Sequence, residues 1–309
     1  MRLFICLALL FFTSLLYGQT KRICITVDDL PIVNYGITDS SYQKLLITNL
    51  IVSLNKNNIP AIGFIIGKKL NDESGTGYLQ KELLLNWIEH GLEIGNHTYS
   101  HNDFNTKSCK EYGQDILNGE AIIKKILGNK YKSMKYFRHP YLHTGNTKEK
   151  SDSLNSFLTA HGYRAAPVTI DNDEYLFAVA YQKANFQKNK ELMFKIGHDY
   201  INYMEKKLKY YEAESRKLFG RNINHILLLH ANLLNSEYLD LLATMLKKNG
   251  YDFIDMDTAL IDDAYRTEIT VYEKKGLSWL DRWALSKGKP KEFFEDDPTV
   301  PDYILKLSN

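Results

Sequence analysis

The sequence predicts an α/β fold built on a parallel sheet or barrel, and three observations predict it. Seven short apolar runs recur along the 309 residues, at about 22–27, 61–66, 92–96, 134–138, 163–170, 224–230 and 251–255. Each has strand length. Amphipathic stretches lie between them, and strict alternation of strand and helix favours parallel pairing through right-handed crossovers. Finally, five of the seven runs end in ionisable residues. In a (β/α) barrel the C-terminal strand ends share one mouth, so these groups should converge there.

The first run, Arg22-Ile23-Cys24-Ile25-Thr26-Val27, ends in Asp28-Asp29 and then Leu30-Pro31. Pro31 keeps Leu30 out of helical conformation, so the chain should turn. The helical pattern at 42–57 carries Leu45, Leu46 and Leu50. The third run ends in Asn96-His97-Thr98-Tyr99-Ser100-His101, the fourth in Arg138-His139-Pro140-Tyr141, the fifth at Asp171 and the sixth at His230. Helical patterns at 79–90, 109–127, 148–161 and 236–249 fill the intervals. A strand-end aspartate alone is as often a helix cap or turn residue as a functional group.

Neutral imidazoles four residues apart can turn toward one point, and a carboxylate can complete a three-ligand site with an open position for water. The spacing alone is unspecific, because His139 and His143 repeat it. The order of the clusters is more telling. Thr26-Val27-Asp28-Asp29, His97-Thr98-Tyr99-Ser100-His101, Arg138-His139-Pro140-Tyr141 and Leu228-Leu229-His230 together resemble the ordered motifs of the polysaccharide deacetylases, the NodB-homology or carbohydrate esterase family 4 group. The resemblance spans about residues 22–260 and implies a distorted (β/α)7 barrel.

The same resemblance implies roles. Asp29, His97 and His101 would bind one divalent ion, Zn2+ first, with Co2+, Mn2+ or Ni2+ as alternatives. Asp28 would be the general base, Arg138 its partner, the Tyr141 N–H an oxyanion donor, and His230 the general acid. Successive strand residues point to opposite faces, so Asp28 and Asp29 can share a site only if the chain turns between them. The remaining motif departs from the family. Where Asp-x-x-Asp-Trp is usual, this chain reads Asp171-Asn172-Asp173-Glu174-Tyr175. Glu174 is the first candidate to support His230, with Asp171 or Asp173 as substitutes.

The implied activity is hydrolysis of acetyl groups, N-acetyl ahead of O-acetyl, from an extracytoplasmic glycan. A metal-independent amidase or imidase and a catalytically silent glycan-binding relative are the alternatives. Met1-Arg2 and the apolar run 3–17 read as a secretory signal peptide over 1–18, too short for the ~20 residues of a spanning helix; an uncleaved anchor is the other reading. The protein is therefore expected outside the cytoplasm, secreted or periplasmic. A net charge of +2 gives no electrostatic footprint for nucleic acid. Cys24 reads as a small buried hydrophobe, without a disulfide framework. One catalytic domain, 19–263, is expected with two elaborations. A helical insertion at about 176–222 places Phe194, His198, Ile201, Met204, Leu208 and Tyr211 on one face, to shape the cleft or pack beside it. A C-terminal extension, 264–309, carries Trp279 and Trp283 one helical turn apart, then an extended or disordered end with Pro290, Pro298 and Pro301.

Overall fold

A computed structural model describes residues 20–71 and 75–309; the expected signal peptide lies outside the described residues. Seven parallel strands form one sheet around β1 (Lys21–Leu30). Ile23, Cys24, Ile25 and Val27 of β1 are all buried, as expected for a parallel strand covered on both faces. On one side follow β2 (Ile62–Ile65), β3 (Glu93–Asn96), β4 (Tyr136–Phe137) and β5 (Arg164–Ala165). On the other side β6 (His225–His230) pairs in register with Ile23 to Asp28. The last strand, β7 (Tyr251–Phe253), pairs only with Lys21–Ile23 at the start of β1.

The sheet curls back on itself as a distorted barrel. Ile170 forms a parallel bridge with Leu227, and the N–H groups of Thr169 and Ile170 both donate to the Ile226 carbonyl at 3.0 Å. The fifth run does not remain a strand to residue 170 as expected. After Ala166 donates to Phe137, Pro167 has no N–H to offer, and the ladder stops until the bridge at Ile170.

The strands alternate with α1 (Ser40–Lys56), α2 (Gly75–Glu89), α3 (Cys109–Leu127), α4 (Lys148–Ala160), α5 (Glu174–Phe186), α6 (Lys190–Phe219) and α7 (Leu233–Lys248). Their starts are set by local chemistry. Asp39 caps α1 by accepting from Tyr42, and Ser108 with Glu111 forms a capping box on α3. The insertion consists of α5 and α6. Its buried stripe runs through Met193, Ile196, Tyr200 and Met204, whereas Phe194 and His198 are exposed and stack on each other at 3.9 Å. The expected apolar face is therefore off by one residue at its start. Gly197 explains the shift, because a Cβ there would lie 1.9 Å from the Tyr238 ring of α7. That close approach fixes which face of α6 turns inward.

After α8 (Met256–Ala259), the extension contains α9 (Trp279–Ser286) and α10 (Asp302–Ser308). Trp283 is fully buried against Phe219 and Tyr265, which makes it a packing residue. The chain end is not an extended or disordered arm. Val300 and Ile304, four apart, are buried as α10 docks on α5, and the Tyr303 hydroxyl donates to Asp199 at 2.6 Å. Among the described residues no helix is long and apolar enough to cross a membrane. Because Ile304 has 0% exposure, Ile304→Ala should cost about 2–5 kcal/mol of stability in chemical denaturation. A loss below about 0.5 kcal/mol would mean that α10 is not docked in solution.

Candidate metal centre and cleft

A cleft of about 600 Å³ opens at the C-terminal ends of the strands and holds Asp28, Asp29, His97, His101, Tyr141 and His230 in its walls. Asp28 ends the regular part of β1. Asp29 then adopts left-handed backbone, φ 64°, and the β1–β2 register shifts between Val27 and Leu30. This twist cancels the alternation that would point the two carboxylates apart. The Lys69 ammonium secures the turn by donating to the carbonyls of Asp29 at 2.5 Å and Ile32 at 2.9 Å.

His97 and His101 stand on a loop that Asn96 shapes. The Asn96 side-chain oxygen accepts from Thr98 N–H at 2.8 Å, and the Thr98 hydroxyl accepts from His101 N–H at 2.8 Å. Thr98 and His101 are both left-handed, with φ 64° and 55°. Helix α3 braces this loop: Asp115 accepts from Tyr99 and Ser100, and a Cβ at Gly119 would meet the Thr98 backbone at 2.9 Å. Glycine is required there for close approach.

The three side chains bring one potential ligand atom each to a common point. His97 Nε2 lies 3.4 Å and His101 Nε2 3.3 Å from the same Asp29 Oδ1, and one ligand atom from each residue fits within a 4.8 Å span. A carbonyl can only accept, so the 2.8 Å contact between His97 Nδ1 and the Arg138 carbonyl puts the proton on Nδ1 and leaves a lone pair on Nε2. Burial, and then the neighbouring His97, push His101 down to about 4, which favours its neutral, ligating form. Asp29 Oδ1 is buried with no hydrogen-bond donor. A buried carboxylate oxygen facing the His97 lone pair is costly unless a cation completes the set, and neutral His101 can turn a second lone pair toward the same point. These residues therefore fit a divalent ion.

Asp28 and His230 are register partners across β1 and β6, and each has its own companion. Arg138, 0% exposed, donates from Nη1 to Asp28 Oδ2 at 3.3 Å and from Nη2 to Thr26 Oγ1 at 3.1 Å, with its guanidinium 4.7 Å from the Phe64 ring centroid. Asp28 Oδ1 is left without a partner. His230 Nδ1 contacts Glu174 Oε2 at 2.8 Å. Glu174 is buried at the first residue of α5, where its Oε1 accepts from the side-chain amides of Asn232 and, at 2.8 Å, Asn235. Burial acts to lower the His230 pKa, but the Glu174 hydrogen bond and charge outweigh it and hold the imidazole up at about 9.

The departed motif thus divides its work. Glu174 reaches His230, whereas Asp171 accepts from the Asn172 N–H at 2.9 Å and lines the cleft with a carboxyl that burial pushes up to about 6. Asp173 is tied to α6 through its N–H, which donates to the Tyr203 hydroxyl at 3.1 Å. Tyr175, 46% exposed, stands at the cleft wall. Helix α6 contributes no cleft-lining residue and backs this loop from behind. Tyr141, φ 58°, is the second residue of a single 3-10 turn, so its N–H has no partner within that turn. Its ring packs edge-on to His101 at 4.6 Å.

Sequence reasoning missed Thr26, Lys69, Asn232 and Asn235. Asn232 carried a local signal, since it follows His230 and caps α7 by accepting from Asn235 N–H at 3.0 Å. Its second bond, to a glutamate 58 residues away, had none.

Residues 17–166 match the model of the family described as polysaccharide deacetylase, a little under half of the chain. A family 4 acetyl xylan esterase from Clostridium thermocellum, solved in complex with a cobalt ion, is 22% identical with a TM-score of 0.50, over 78% of this chain and 91% of that one. The chain shares its fold. Peptidoglycan deacetylase PdaC of Bacillus subtilis is 20% identical with a TM-score of 0.49, over 80% and 94% of the two chains. A family 4 pseudoenzyme of Bacillus anthracis is 16% identical with a TM-score of 0.48, over 78% and 66%. No curated protein sequence matches.

The acceptor geometry makes a direct prediction. Protein purified without chelator should carry one divalent ion per chain by elemental analysis, and the double variant His97→Ala/His101→Ala should carry none. Stoichiometric metal in the double variant would refute the ligand set.

Proposed function

We propose that this protein is a metal-dependent deacetylase that hydrolyses an N-acetyl group on an extracytoplasmic polysaccharide or oligosaccharide. The observation that carries this reading is the flanking of the Asp29, His97 and His101 acceptor set by two opposed pairs, Arg138 with Asp28 and Glu174 with His230. A divalent ion held by the three acceptors, Zn2+ first, would polarise the acyl carbonyl and lower the pKa of a bound water toward ~7.

The protein's own groups supply the rest. Asp28, oriented through Oδ2 by Arg138, accepts the proton of the attacking water at its unpartnered Oδ1. The Tyr141 N–H donates to the oxygen on which negative charge develops. His230, kept as imidazolium by Glu174, gives its proton to the departing nitrogen. An amine cannot leave as an anion near neutral pH, so amide hydrolysis needs this acid more than ester hydrolysis does. That asymmetry supports N-acetyl over O-acetyl substrates. A metal-independent relative would have no need of the acceptor set, and a silent glycan-binding relative would have no need of both flanking pairs.

The cleft's size suits a sugar with its acyl group, and the apolar N-terminal segment supports an extracytoplasmic setting. Acetate release by metal-loaded protein should be measured on peptidoglycan, chitooligosaccharides and acetylated xylan. Release from an N-acetylated glycan is the expected result, and no release from any of the three would sink the proposal.

Two variants separate the flanking pairs. Asp28→Asn should retain the ion while turnover falls about 10²–10⁴-fold; loss of the ion would show that Asp28 is itself a ligand. The acid His230 must be protonated, so activity disappears as pH rises through its pKa. Glu174 raises that pKa, and Glu174→Gln should therefore move the alkaline limb of the rate profile to lower pH. An unmoved limb in Glu174→Gln with a moved one in Asp171→Asn would transfer the role to Asp171.

A further inference from the structure

The C-terminal extension reaches the active cleft from outside the family-matched residues. Arg282 of α9 is 1% exposed, and burial pushes its pKa down to about 10, while Asp281, Asp171 and Glu273 offset part of that cost without forming a direct ion pair. Its guanidinium is instead directed to two loop carbonyls, donating from Nη2 to Leu142 at 2.8 Å and from Nε to Leu277 at 3.3 Å. Leu142 follows Tyr141, and both residues are left-handed, with φ 55° and 58°. Each such non-glycine residue costs about 1–3 kcal/mol and persists only where surrounding contacts hold it.

The same extension touches this loop elsewhere. Gly276 lies against the Tyr141 carbonyl so closely that a Cβ would meet that oxygen at 2.0 Å. The Asn105 amide donates to the Lys274 carbonyl at 2.7 Å, and Trp279 N–H donates to Val168 at 2.7 Å, which lays residues 274–279 across the cleft wall. Leu142 is packed against Val168 and Leu228 below. Two backbone carbonyls in succession, those of Tyr141 and Leu142, are thus fixed by the extension.

We propose that Arg282, with Gly276, is a positioning element that holds the Tyr141 N–H in line for the developing oxyanion. This rests on the deacetylase reading for its chemistry, while the anchoring itself is a property of the loop. Removal of an oxyanion donor costs about 10²–10³-fold in turnover, and misplacement by about 1 Å can cost ~10²-fold.

The experiment compares Arg282→Met, Arg282→Lys and Gly276→Ala in the full chain. Arg282→Met should lower kcat about 10- to 100-fold with KM within about 2-fold and metal content unchanged. Arg282→Lys, which can still donate to the Leu142 carbonyl, should restore several-fold of the loss. Gly276→Ala removes no core side chain, and should lower kcat in the same way by displacing the Tyr141 carbonyl. Wild-type kcat in folded, metal-loaded Arg282→Met overturns the proposal, and if that variant does not fold, wild-type kcat in Gly276→Ala does so. Should the wild-type protein prove inactive, the deacetylase reading fails separately, and hydrogen exchange decides the anchoring. The amides of Leu142 and His143 should exchange at least about 10-fold faster in the Met or Ala variant, and unchanged exchange there overturns it.

Discussion

Two neighbouring aspartates must face the same point, and a β-strand forbids it. The left-handed Asp29 at the end of β1 resolves that conflict, and much of the cleft is arranged around it. The twist is tolerable because aspartate is among the residues that visit this region most readily. It is also over-determined. Lys69 clamps the carbonyls of Asp29 and Ile32, Ile66 N–H donates to Leu30, and Val33 N–H donates to Ala231 just beyond His230. The last of these bonds ties the Asp29 turn to the strand end that carries His230. Thr98, His101, Tyr141 and Leu142 are left-handed as well. With Asp29 they represent ~5–15 kcal/mol of unfavourable backbone, comparable to the net stability of a domain. Only a rigid barrel rim with dense backbone hydrogen bonding can hold so many at once.

Opposed electrostatics then separate two groups that the β1–β6 register places side by side. Asp28 and His230 are neighbours across the two strands. Arg138 engages Asp28 from the β4 side, and Glu174 engages His230 from the α5 side. Each partner is buried and itself secured, Arg138 by Thr26 and Glu174 by Asn232 and Asn235. The result is two neighbouring groups in one strand pair, each held by its own buried partner.

The succession of parallel strands and the convergence of polar groups were legible because strand-length apolar runs ended in chemistry-bearing residues, whereas the order of the strands in the sheet was not read from the sequence. The Asp28, His97 and Arg138 clusters were readable locally, each occupying a few consecutive positions. Glu174 was readable only as a departure from a pattern, and its link to His230 needed the fold to bring positions 56 apart together. The fifth strand was overextended because apolar composition hid the effect of Pro167 on the ladder. In α6 the buried face slipped by a residue because Gly197 carries no hydrophobic signal, although its missing side chain sets the α6–α7 approach. The end of the chain was misread from its prolines. Pro301 marks the start of α10 rather than the absence of order, since a proline at a helix start gives up no hydrogen bond.

The family match ends at residue 166, and the cleft does not. Within the match lie the three acceptors, Asp28, Arg138 and the Tyr141 turn, to which the proposed function assigns the acyl carbon and the attacking water. Beyond it lie Asp171, Tyr175, His230 and Gly276, which line the cleft, and Glu174, buried behind His230. On the proposed deacetylase reading, the first set would act on the acetyl group common to all such substrates, and the second would meet the part that differs between glycans. A glutamate in place of aspartate lengthens the reach to His230 by one methylene, and Asn232 and Asn235 take up that added length by gripping its other oxygen. The departure is compensated where it occurs, because both Glu174 carboxylate oxygens are engaged, one by His230 and the other by the two asparagines.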